Sequence, residues 1–140
     1  MRLRLFACFA LVLPALGQDS GFLRRTTFEE REGLIFANDK LELTILTTGG
    51  ALVNLVRTDD PGKLSPYWNP VRMAREAGEK PGFGSAMGHF VCVDGFGPVS
   101  AQERDAGLPG HGEAHTVPWE VRSSGKSGRS STVIFQNEPF

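Results

Sequence analysis

His111, Glu113 and His115 stand at alternating positions within Gly107 to Val121, GLPGHGEAHTVPWEV, directly after a Pro-Gly turn. Two imidazoles and a carboxylate so spaced offer three kinds of chemistry. They can donate to and accept from a polyhydroxylated ligand, hold a divalent metal, or sit in water as the polar face of a strand. If the segment is extended, all three side chains share one side, because strand side chains alternate with a period of two. His111, between Pro109-Gly110 and Gly112, projects from an open backbone. It reads either as a surface or capping histidine or as one that faces a ligand.

Other residues join this inventory with ordinary explanations beside them. Tyr67 and Trp68 lie on a loop with Asp-Pro-Gly and Asn-Pro breakers. Trp68 can stack on the apolar face of a sugar, and loop aromatics equally well plug one end of a sandwich. Cys92, between Val91 and Val93, reads as a buried, inert thiol. His89 reads as the first residue of a strand. The glycine-rich GFGSAMG, residues 82–88, lacks the lysine and hydroxyl residue of a phosphate loop, and no long helix follows it. Two histidines and a carboxylate also invite comparison with cupin-type jelly rolls, but His-x-Glu-x-His departs from the His-x-His with later Glu of that group. No metal and no cofactor is therefore assigned.

The elements that must position these residues read as short strands. Leu41, Leu43 and Ile45 alternate with Glu42 and Thr44, as in a strand with one buried face. Asn38-Asp39 and Gly49-Gly50 supply turns that tolerate positive φ, which predicts three consecutive antiparallel strands at Leu34–Ala37, Leu41–Leu46 and Leu52–Arg57. A short helix is expected over Val71–Ala77, a strand over His89–Val93, and a charged loop over Ser100–Ala106. The histidine strand follows, then a turn at Ser123–Ser131 and a strand at Thr132–Gln136. The fold class is all-β, an antiparallel β-sandwich. The apolar Thr132–Gln136 reads as a strand whose partners lie outside the sequence. The sandwich is thus expected to be incomplete, with unpaired sheet edges open to self-association.

Arg2 and Arg4, an apolar run from Leu5 to Leu16, and Ala15 and Gly17 before Gln18 read as a cleaved secretory signal over residues 1–17. That run is shorter than the roughly 20 residues needed to span a bilayer. The expected location is secreted or periplasmic, with no membrane contact after cleavage. Residues 18–32 read as a linker or frayed first strand, and residues 33–140 as the folded part. Fifteen basic against sixteen acidic residues give a formal charge of −1, and loss of Arg2 and Arg4 makes it more negative. Nucleic acid is not an expected partner. Cys8 departs with the signal, leaving Cys92 without an intramolecular disulfide partner.

Two segments, Gly88 to Pro98 (GHFVCVDGFGP) and Leu108 to Val121 (LPGHGEAHTVPWEV), resemble the galactose mutarotase superfamily in its aldose 1-epimerase and hexose-6-phosphate 1-epimerase branches. LTTGGALVNLV and Trp68-Asn69-Pro70 resemble its opening strands and Trp-x-Pro loop. The resemblance implies a β-supersandwich that holds a sugar in a groove, with His111 matching a sugar-contacting histidine. It also implies mutarotation by a histidine acid and a carboxylate base, both downstream of the His-Gly motif in that family. No catalytic residue is assigned here, and these residues are expected to be a truncated form that binds a sugar. Glu113 replaces an aromatic residue of the pattern, and His115 replaces the arginine of the phosphosugar branch. Without a bidentate guanidinium, a neutral sugar is the expected ligand, held by His111, Glu113, His115 and Trp68. The alternative is a noncatalytic exported binding or structural module.

Overall fold

A computed structural model describes residues 22–81, 86–93, 95–127 and 130–136. Residues 1–17, expected to be a signal, and part of the glycine-rich stretch, residues 82–85, lie outside the described residues. Four strands form one antiparallel sheet in chain order: β1 (Leu23–Phe28), β2 (Arg31–Ala37), β3 (Leu41–Leu46) and β4 (Leu52–Arg57). A second sheet is the hairpin of β5 (Glu120–Ser127) and β6 (Ser130–Gln136). Two short helices, α1 (Pro70–Glu76) and α2 (Ala101–Asp105), lie between the sheets in sequence.

The turns expected from sequence hold β2 to β4 together. The Asn38 side chain accepts from the backbone N–H groups of Lys40 and Leu41, a local bond for which asparagine is favoured in turns. Gly49 and Gly50 both adopt positive φ, at 78° and 63°. β3 and β4 run over the predicted residues, with a register shift between Thr44 and Ile45. Burial in β3 does not alternate as its sequence suggests: Leu41 is 43% exposed, whereas Thr44, Ile45 and Leu46 are all buried. Both faces are covered at the Leu46 end. Leu46, Ala51, Val53 and Met87 form the core there, and Phe28, Val71 and Phe90 pack against it.

The sheet begins ten residues before Gly33, where the sequence had suggested the fold starts. β1 pairs along its whole length with β2, from Leu23 opposite Phe36 to Phe28 opposite Arg31. Its turn is made by Glu29 and Glu30 at φ 44° and 65°, left-handed values that glutamate seldom takes. A contact from forty-six residues downstream holds it. Arg75 donates two hydrogen bonds to the Glu29 carboxylate, each 3.0 Å, and Asn69 Nδ2 donates a third at 3.1 Å. Asn69 Oδ1 meanwhile caps α1 by accepting from Arg72 N at 2.8 Å. A single buried asparagine thereby ties α1 to the first hairpin.

The Arg75 guanidinium, against opposition from desolvation, holds the Glu29 carboxyl below its ordinary pKa. A lowered folded-state pKa stabilises the fold above the ordinary glutamate value, and that contribution is lost as pH falls through the folded value. Glu29→Gln is expected to cost about 1–2 kcal/mol at neutral pH, the lower part of the range for charged hydrogen bonds because Arg75 is largely exposed. Urea denaturation at pH 7 and pH 3 checks it: the two proteins should differ at pH 7 and converge in acid. A constant difference across that range would remove the carboxylate as the cause.

Three other expectations are corrected. Ser100–Ala106 is not a loop throughout: Ser100 and Glu103 form a reciprocal capping box that starts α2. His89–Val93 is not a strand among the described residues, and only His89 bridges, pairing both ways with Leu52. The Thr132–Gln136 segment has its partner within the chain, since β6 pairs with β5 from Gln136 opposite Glu120 to Ser130 opposite Ser127. No described helix is long and apolar enough to cross a membrane.

Candidate functional site

The histidine segment is not a strand. His111 and Gly112 take left-handed φ values of 68° and 73°, and residues 113–117 form turns. Glu113 O accepts from both the N–H and the hydroxyl of Thr116, at 2.9 and 2.8 Å. Glycines on both sides of His111 and a threonine that satisfies a local carbonyl defeat the alternating pattern. Beyond the turns the chain docks on the β3–β4 connection. Gly49 N donates to Val117 O and Trp119 N to Thr47 O, while the Trp119 ring lies over Gly50 and its indole N–H donates to Ala114 O at 2.8 Å. Trp119 is therefore a half-buried residue directly ahead of β5.

The turns bring the two histidines together by a different route from the predicted strand face. Their ring centroids are 6.3 Å apart, and Phe90 stands edge-on to His111 at 5.1 Å and tilted to His115 at 5.9 Å. Because Phe90 also packs on the core, it fixes both rings relative to the main sheet. His111 is held from the other side as well. Gly97 N donates to His111 Nδ1 at 3.2 Å, and Cys92 Sγ lies 3.4 Å from the same nitrogen.

A backbone N–H can donate only to an unprotonated ring nitrogen, so neutral His111 carries its hydrogen on Nε2. Cys92 is half-buried and free, and its nearest polar partner is the ring it helps to position. His115 is also half-buried, but its Nδ1 is enclosed without a hydrogen-bond partner among the described residues.

A cleft of about 230 Å³ opens beside His111, and Phe96, Glu103, Leu108 and Glu113 are among the residues that line it. Trp68 is not part of this lining. It is 55% exposed on the loop before α1, where its carbonyl accepts from Gly88 N. Of the four residues singled out from sequence, His111 and Glu113 line this cleft, His115 lies outside its lining with its ring against that of His111, and Trp68 lies elsewhere. Sequence reasoning gave Phe96 and the Gly97 N–H no part in a site and read Cys92 as buried and inert, whereas it is half-buried against His111. Phe96 left a signal, as a lone aromatic between two glycines. No group of three His, Cys, Asp or Glu side chains able to hold a metal occurs among the described residues.

A larger cleft of about 780 Å³ lies between β1, β2 and the start of β5, with Arg25, Glu32, Leu34, Trp119 and Arg122 in its walls. It contains none of the four candidate residues. Size favours it, but the fixed imidazole and adjacent carboxylate favour the smaller cleft as the place for chemistry.

The chain is mostly β, a four-stranded antiparallel sheet and a hairpin, consistent with a mutarotase-like β-sandwich fold. No family profile matches the chain, and no curated protein matches it. Among solved structures it is similar to a protein designated a candidate mutarotase, YeaD of Salmonella typhimurium, with 20% identity and a TM-score of 0.61. The match covers 91% of this chain and 40% of that one, so the chain spans less than half the length of this neighbour. At that identity the likeness is one of fold.

Proposed function

We propose that this chain binds a neutral sugar as a protein of aldose 1-epimerase type, exported by residues 1–17, in the cleft beside His111. One observation carries the proposal: the Gly97 N–H occupies His111 Nδ1, which leaves an Nε2–H donor on a ring that lines the same cleft as Glu113. A sugar hydroxyl both donates and accepts, so a cleft that offers an imidazole donor and a carboxylate acceptor suits it. Among the described residues, the charged ones in the cleft lining are Glu103 and Glu113. Two carboxylates without a cation oppose a phosphate group, which favours an unphosphorylated ligand. We infer binding without turnover by these residues, because no acid–base pair is assigned among them.

Titration of the protein with glucose, galactose and glucose 6-phosphate, followed by ligand-observed NMR, tests this. The neutral sugars should give saturable responses, the phosphosugar none, and anomerisation should not accelerate. Absence of a saturable response to any sugar would instead support a structural module, and a preference for the phosphosugar would contradict the reading of the cleft.

A further inference from the structure

We infer that Phe96 is the aromatic platform of this cleft, the ring on which the C–H face of a pyranose lies while His111 and Glu113 take its hydroxyls. The inference rests on the proposal that the cleft binds a sugar, and it names the apolar half of the recognition. Phe96 is 93% exposed, more than any other large hydrophobic residue of the described chain. A phenyl ring left in water contributes nothing to the core and forgoes the gain that burial would bring. A single exposed apolar residue is ordinary; what sets Phe96 apart is that it lines the same cleft as His111 and Glu113.

Its position is set by backbone. Gly95 and Gly97 flank it, and both pack closely on the glycines that flank His111. A side-chain carbon added at Gly95 would lie 3.5 Å from Gly112 N, and one added at Gly110 would lie 3.1 Å from Gly97 O. Gly97 takes a φ of 83° and donates to His111 Nδ1. The crest that carries Phe96 is thus tied to the same imidazole that supplies the ligand's donor, and the two cannot move independently while this bond persists.

The cleft is also two-sided in character. Phe96, Pro98, Leu108 and Pro109 provide apolar surface, and Glu103, His111 and Glu113 provide polar groups. A pyranose has the same division, with C–H bonds on its faces and hydroxyls around its rim. Aromatic rings present a flat apolar surface suited to such a face. Trp68, which the sequence offered for this role, is absent from the cleft lining.

The test compares the wild-type protein with Phe96→Ala, Phe96→Trp and His111→Asn by NMR titration with whichever of glucose or galactose binds. Upfield ring-current shifts of the sugar C–H protons provide a readout that a merely structural role would not move. Phe96→Ala should weaken binding roughly tenfold or more and abolish those shifts, Phe96→Trp should keep both, and neither should change Tm because the ring is exposed. If Phe96→Ala binds like the wild type while His111→Asn does not, Phe96 is a bystander and the sugar-binding reading stands. If the wild-type protein binds neither sugar, both proposals fall.

Discussion

Gly112→Ala is expected to destabilise the protein by about 2–4 kcal/mol, a large share of the total stability of a small domain. Gly112 is buried at a φ of 73°, and a Cβ there would run into the Val93 carbonyl oxygen. Two costs add. An alanine in the left-handed region carries about 1 kcal/mol of backbone strain, and the contact with Val93 must be relieved by moving one of two packed backbone segments. Neither segment can yield easily, because Val93 N also donates to His111 O and the loop is fixed again at Gly97.

Gly107→Ala isolates the first cost. Gly107 has a φ of 78°, yet an added Cβ there would meet nothing within 4 Å. It should lose only about 1 kcal/mol, whereas Gly112→Ala should lower Tm by roughly 10 °C or more. Thermal unfolding of the pair decides the matter. Equal losses would mean that the close approach to Val93 is unimportant, and with it the argument that this contact shapes the His111 turn.

The same balance of local and distant contacts explains how much of the fold was legible in the sequence. β3 and β4 were placed residue for residue, because Asn38-Asp39 and Gly49-Gly50 are turn residues by their own chemistry and the intervening side chains alternate. β1 was read only as a linker or frayed strand. It lacks a clear period, and its Glu29-Glu30 turn has no glycine or asparagine. What stabilises that turn is Arg75 and Asn69, whose approach no local pattern reveals. The β6 strand was recognised but denied a partner, because the polar EVRSSGKS of β5 gives little sign of strand formation.

The site shows the converse error. The alternating His111, Glu113 and His115 suggested a strand, and the prediction that they act together rested on that geometry. Glycine overrode the pattern: a left-handed pair at His111-Gly112 turns the chain, and the rings meet instead across Phe90. Residue types were therefore a better guide to the cluster than residue spacing. Trp68 lies outside the lining of this cleft, and an exposed loop aromatic carries no information in sequence about which cleft it adjoins. Phe96 lay in the Gly88 to Pro98 segment that carried the family resemblance, but no role was read from the residue itself.

Substituting His111 should separate its two roles, and His111→Asn is the more informative change. His111 has a φ of 68°, a conformation in which asparagine is several-fold enriched among non-glycine residues. Asn Oδ1 can also accept the Gly97 N–H in place of Nδ1, which keeps the crest that carries Phe96 tied to the turn. Asparagine lacks a donor at the Nε2 position, however, and a shorter side chain withdraws from the cleft. Stability should therefore fall by less than about 1 kcal/mol, while sugar binding, if it depends on the Nε2–H donor, falls at least tenfold. His111→Ala should weaken both, because alanine neither favours the left-handed backbone nor accepts the Gly97 N–H, which is then left without its partner. Thermal unfolding and sugar titration of the two variants check the separation. Binding retained in His111→Asn would remove the imidazole donor from the mechanism, whereas equal destabilisation in both variants would show that the Gly97 bond cannot be replaced and that the ring itself supports the turn.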